Sequence, residues 1–134
     1  MERPFIKSGA APGKVKGMVE IFKALSEESR LRILSLLLER EMCVCEIEAS
    51  LNMTQSNASR HLTALKNSGI LDSFKKAQWT YYRINDRFKR DHAELWEYLQ
   101  HHLRELPTYK IDLAEYQKCS GQKLCDTISP QQKH

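Results

Sequence analysis

Between Glu41 and Leu65 the chain carries two short apolar stripes, Val44, Ile47 and Leu51, then Ala58, Leu62 and Leu65, separated only by the stretch Asn52-Met53-Thr54. Spacings of three and four residues mark helix faces. So brief a break leaves room for nothing but a tight turn, and Asn52 tolerates the left-handed backbone such a turn needs. Thr54 is placed to cap the second helix, which should stop at Gly69 in Asn67-Ser68-Gly69. Helix, short turn, helix is therefore the local arrangement. This helix-turn-helix constrains everything around it.

Upstream, Val15, Met18, Val19, Phe22 and Leu25 fall at helical spacing and give a first helix with a face for a partner. Ser26-Glu27-Glu28-Ser29 then offers a cap, with Ser26 as the acceptor, before Leu31, Ile33, Leu34, Leu37 and Leu38 form a second helix at the centre of the core. A third helix is expected over Glu41 to Leu51. Downstream, Ile70 to Phe74 and Trp79 to Ile84 read as strands joined by Lys75-Lys76-Ala77-Gln78, a β-hairpin wing with a basic tip. From Asp86 a long amphipathic helix bearing Phe88, Leu95, Trp96, Leu99 and Leu103 runs to about Leu106, before Pro107, and invites dimerisation. The expected layout is a flexible arm over 1–13, a winged helix-turn-helix domain over 14–106, and a polar, cysteine-containing tail over 107–134 with a short helix around Asp112 to Lys118. The fold class is mainly α with a small β-hairpin, dimeric through its terminal helices.

With 134 residues and 41% apolar content, the chain can bury a core without disulfides. Apolar runs are too short for a membrane span of about 18 residues, and the N-terminus lacks the apolar segment of a secretory leader. A cytoplasmic location follows as the expectation. Thiols stay reduced there, so the four cysteines read as metal ligands, reactive thiols or core residues. No activated nucleophile, phosphate loop or paired carboxylate points to an enzyme. The formal net charge of +4 is localised: both flanks are neutral, and residues 54–84 set Arg60, Lys66, Lys75, Lys76 and Arg83 against Asp72 alone. That is a footprint for a polyanion.

The same window supplies base-reading chemistry. In a helix-turn-helix the second helix enters the major groove, and its first turns carry Gln55, Ser56, Asn57, Ser59, Arg60 and His61. Gln and Asn pair bidentately with adenine, Arg with guanine, and Ser bonds base or phosphate. Lys75, Lys76, Gln78 and Arg83 on the wing would touch backbone or minor groove and set register. Double-stranded DNA is the expected partner.

The runs Phe22-Lys23-Ala24-Leu25-Ser26, Arg30-Leu31-Arg32-Ile33-Leu34, Cys43-Val44-Cys45-Glu46-Ile47, Ser56 to Leu65, Gly69-Ile70-Leu71 and Trp79 to Ile84 together resemble the ArsR/SmtB family of metal-responsive repressors, over roughly residues 15–105. The resemblance implies a homodimer that binds a pseudo-palindromic operator and leaves it when a metal or metalloid binds. It points to arsenic(III) or a related thiophilic ion as inducer, held by thiolates. Arsenic sensors of the family often carry a third cysteine three residues after the pair; here that position is Glu48. The proposed set is therefore Cys43 and Cys45 with one or both of Cys119 and Cys125. Residues two apart on an ideal helix diverge, so Cys43 and Cys45 are expected to grip one ion only by distorting the helix start. A redox switch and a Cd, Pb or Zn sensor are the alternatives. Some relatives bind zinc through Asp-x-His and His-x-x-Glu on the last helix; Asp91-His92 and His102 with Glu105 lack the full spacing.

Overall fold

The computed structural model describes residues 11–121, with side chains over 17–119. Helices α1 (Ala11–Leu25) and α2 (Glu28–Leu37) lead into a two-residue strand β1 (Met42–Cys43). Helices α3 (Val44–Leu51) and α4 (Gln55–Asn67) follow, then strands β2 (Leu71–Lys76) and β3 (Trp79–Ile84), and finally α5 (Asp86–Asp91), α6 (Ala93–Leu103) and α7 (Tyr109–Gly121). Residues 11–13, expected in a flexible arm, begin α1; the remainder of that arm lies outside the described residues.

The turn between α3 and α4 forms as its residues dictate. Asn52 adopts φ 55 and ψ 49, and the Thr54 hydroxyl accepts from the Asn57 amide at 3.2 Å. Gly69, at φ 90, ends the second helix. Ile33, Leu36, Ile47, Leu62, Leu65 and Ile70 are fully buried, so α2, α3 and α4 converge on one core.

Several boundaries differ from the sequence reading. The wing is a three-stranded antiparallel sheet of order β1-β3-β2. Met42 and Cys43 pair with Tyr82 and Tyr81, so the third helix begins at Val44 instead of Glu41. The hairpin strands reach Lys76, leaving a two-residue turn in which Ala77 takes φ 58. Ser26 donates its hydroxyl to the Lys23 carbonyl at 2.7 Å, closing α1, and Glu27 takes the cap position of α2. The expected long C-terminal helix breaks at His92, whose φ of −128 and ψ of 52 separate α5 from α6.

The largest difference is in the tail. Instead of a short isolated helix, α7 packs along α3 and α2. Asp112, 1% exposed, accepts two bonds from Arg32 of α2, at 2.9 Å from Nε and 2.8 Å from the terminal nitrogen. Tyr109 donates to the Glu39 carboxylate, and Tyr116 is buried. A helix with few apolar anchors is thus docked by a charged one, which apolar periodicity does not report.

Candidate nucleic-acid interface and thiol site

Helix α4 is two-faced. Ala58, Leu62 and Leu65 are fully buried, whereas Gln55, Ser56, Asn57, Ser59 and Arg60 are exposed on the opposite side. This follows from the spacing of its apolar residues and its Thr54 cap, and it presents donors and acceptors at the N-terminal turns. Lys75, Lys76 and Gln78 are exposed at the end of the wing. Arg83 is committed within the wing: its Nε donates to Asp72 at 2.8 Å and its guanidinium lies 4.8 Å from the Phe74 ring centre. Lys66 donates to Ser73 at 2.9 Å, tying α4 to β2.

His61 is a correction to the set expected to read bases. Only 4% exposed, it faces inward and accepts at Nδ1 from Arg30 Nε, 3.1 Å away on α2. Glu27 stands 3.7 Å from the same nitrogen, and an Arg60 terminal nitrogen is 3.4 Å from Nε2. Position 61 comes three residues after Ala58 and directly before Leu62, so it rotates to the core side of the helix. Burial first, then the Arg60 and Arg30 charges, lower its pKa, with Glu27 opposing. The unfolded chain therefore takes a proton near pH 6.5 that the folded chain resists. Stability should be fully present above that pH and decline as pH falls through the lowered folded value. Urea melts between pH 7.5 and 5.5 should show this loss, and His61→Asn, which keeps an acceptor toward Arg30 without titrating, should flatten the slope.

The thiol pair sits where β1 passes into α3. Cys43 and Cys45 are 1% and 2% exposed, and their sulfurs are 2.7 Å apart. The expected divergence is therefore wrong. Cys43 is the cap residue of α3, with an extended backbone (φ −80, ψ 161), so the rule for two residues inside a helix does not govern it. The Glu46 carboxylate accepts from the Cys43 amide at 2.9 Å and holds this geometry. No unwinding of the first turn is needed to aim both sulfurs at one point. Two converging sulfurs in buried surroundings fit a soft, thiophilic ion better than a hard one.

Cys119 is half-buried on α7. Burial and then the Glu115 charge raise its pKa, Lys118 opposes, and Glu46 of α3 adds to the rise. Cys119 and the pair's own α3 are thus within electrostatic reach of each other. Cys125 lies outside the described residues. A cavity of about 120 Å³ borders this region, lined by Arg40, Glu41, Glu46, Lys76, Tyr81 and Tyr116. Sequence reasoning missed Arg32, Asp112 and Tyr116; the signal available was that Asp112, Tyr116 and Cys119 recur at spacings of four and three. Among the described residues, His101 and His102 of α6 and Glu105 in the turn beyond it also bring ligand atoms within 4.8 Å of one another, all exposed, with His102 and Glu105 paired at 2.9 Å.

Residues 27–73 match the family of bacterial regulatory proteins described as the arsR family. The chain is 43% identical over 67 residues to the arsenic resistance transcriptional regulator ArsR2 of Pseudomonas putida, covering 49% of this chain and 58% of that protein. It is 36% identical over 78 residues to a Staphylococcus aureus homolog of the cadmium resistance regulator CadC, covering 58% of this chain and 64% of the relative. The chain thus spans little more than half the length of such resistance regulators. An uncharacterised HTH-type transcriptional regulator of Methanocaldococcus jannaschii is 44% identical over 78 residues, 57% of this chain and 88% of its own length. Among solved structures, the homodimeric winged helix-turn-helix DNA-binding domain of a possible ArsR-family regulator from Mycobacterium bovis superposes with TM-score 0.59 at 28% identity, over 73% of this chain and 92% of that one. The wing, the two-faced α4 and the matched span lead to one conclusion: the chain belongs to the ArsR family of winged helix-turn-helix regulators.

Proposed function

We propose that the protein is a dimeric transcriptional repressor that leaves its operator when arsenite, or a related thiophilic ion, binds the Cys43 and Cys45 thiolates. One observation carries the reading: the two sulfurs converge at the junction of β1 and α3. Through the Cys43–Tyr81 pairing that junction is attached to the wing, and through α3 and the Asn52 turn it is attached to α4. A change at one point thus reaches both DNA-facing elements. A coupling of about 1–3 kcal/mol would alter operator affinity roughly 5- to 150-fold. The ion's chemistry is thiolate coordination, which displaces the thiol protons and makes binding pH-dependent. Relatives named for arsenic and for cadmium resistance favour a soft ion without choosing between them.

Dimerisation has a ready surface. Met18, Val19 and Phe22 of α1 are 48%, 45% and 54% exposed. With Leu95 of α6 beside Met18 and Phe22, these residues form an apolar patch that a second copy would cover. Two-fold symmetry then calls for a pseudo-palindromic operator.

Operator binding measured by fluorescence anisotropy tests the DNA half of the proposal. Arg60→Ala should lose about 1–3 kcal/mol, and each of Lys75→Ala and Lys76→Ala should lower the salt slope by about one. Full affinity in Arg60→Ala would remove α4 as the reading helix. The sulfur proximity also favours a second reading, in which a peroxide takes two electrons and two protons from Cys43 and Cys45, forming one S–S bond and water. Peroxide-induced release from metal-free, chelator-treated protein would select it.

A further inference from the structure

Helix α7 bears Asp112, Tyr116 and Cys119 at spacings of four and three, hence on one face. The first two contacts of that face are settled. Asp112 is buried against Arg32 of α2, and Tyr116 lines the same cavity as Glu46 and Tyr81. Those last two are the residues that hold Cys43: Glu46 binds its amide, and Tyr81 is its strand partner. Cys119 is the next position along the stripe of a helix that packs on α3. A partner subunit's α7 could reach this pair only if the subunit's own α7 gave way, which would leave the Asp112 carboxylate or the Arg32 guanidinium without its partner.

We infer that the thiol site is completed within one subunit by Cys119, and that the Arg32–Asp112 pair is the positioning element holding α7, and Cys119 with it, at the Cys43–Cys45 junction. The inference rests on the thiol reading above and adds to it the third ligand, its origin in the same subunit, and a residue pair outside the ligand set that governs affinity. The tail of the chain becomes part of the sensor.

The test uses sodium arsenite with reduced full-length protein carrying Cys125→Ser, and reads the ultraviolet arsenic–thiolate absorption, whose intensity reports the number of As–S bonds, together with operator anisotropy. Cys119→Ser should lower the absorption from a three-thiolate to a two-thiolate intensity and weaken arsenite binding at least tenfold, with operator binding in the absence of arsenite unchanged. Heterodimers of Cys119→Ser with a Cys43→Ser, Cys45→Ser double variant should recover no three-thiolate site; recovery of one site per dimer would show that the ligands cross the interface and would overturn the inference. Asp112→Asn should weaken arsenite binding about tenfold, as loss of a group supporting a ligand does, while arsenite-free operator affinity holds. Wild-type arsenite affinity in Asp112→Asn would remove the positioning role. Should Cys43→Ser and Cys45→Ser abolish binding while Cys119→Ser leaves it intact, this inference alone fails. If Cys43→Ser and Cys45→Ser bind arsenite as the parent does, the proposed function fails with it.

Discussion

Proteins carrying Cys43→Ser or Cys45→Ser should bind operator DNA as tightly as the parent chain and should no longer be released by arsenite. The first half of this expectation follows from placement: both side chains are buried at the β1–α3 junction and away from the exposed face of α4, so serine leaves the residues proposed to read bases untouched. Serine is close in shape to cysteine, and its hydroxyl can donate locally, so the cost of exchange should stay near the 1–3 kcal/mol of a buried polar group with an imperfect partner. The second half follows from chemistry. Each variant leaves one sulfur of the converging pair, and an ion held by that sulfur and Cys119 no longer bridges the β1–α3 junction to which the wing and α4 are attached. The effect is thus expected to be a loss of response and not a graded shift. Operator anisotropy with increasing arsenite measures both halves at once. A variant that still releases DNA at the parent's arsenite concentration would remove the junction as the sensing site.

Arg32→Ala should destabilise the fold by about 3–5 kcal/mol, more than Asp112→Ala, at about 2–3 kcal/mol. The asymmetry comes from burial. The Asp112 side chain is 2% exposed, so removing Arg32 strands a carboxylate in the interior; the Arg32 side chain is 26% exposed and can turn toward water when Asp112 is lost. Hydrogen bonding to Asp112, against the opposing effect of burial, holds the Arg32 pKa above its usual value. The double variant should cost less than the two single changes added together, since the second removal relieves the charge stranded by the first. Urea unfolding of the four proteins closes the cycle. Purely additive costs would mean that the bidentate bonds contribute little. Losses of this size are a large share of the roughly 5–15 kcal/mol that stabilises an ordinary domain, and fraying of α7 should precede global unfolding.

Much of the architecture is written locally. The apolar stripes of α2, α3 and α4, Asn52 in its left-handed turn, Thr54 as cap and Gly69 as stop act within a few residues of sequence, and the structure forms each of them. The exposure of Gln55, Ser56, Asn57, Ser59 and Arg60 follows from the same periodicity. His61 belongs to the same N-terminal turns, yet its position beside Leu62 turns it inward to Arg30. The uninterrupted helix expected after Asp86 ignored a break at His92 that no proline or glycine announces.

The thiol pair shows where local reasoning stops. Spacing alone put Cys43 and Cys45 on one helix with diverging sulfurs; strand pairing with Tyr81 drew Cys43 out of the helix and brought the sulfurs together. In the tail, the contact between Arg32 and Asp112 spans 80 residues of sequence, and a charged anchor leaves no apolar period to detect. By itself the sequence determined the helix-turn-helix, its Thr54 cap, its basic window and the polar chemistry of the exposed face of α4, because hydrogen bonds and side-chain periods of a few residues specify these. Only the tertiary structure decided that the cysteines converge and that α7 closes over their helix, because strand pairing and a buried ion pair join segments that carry no sign of each other along the chain.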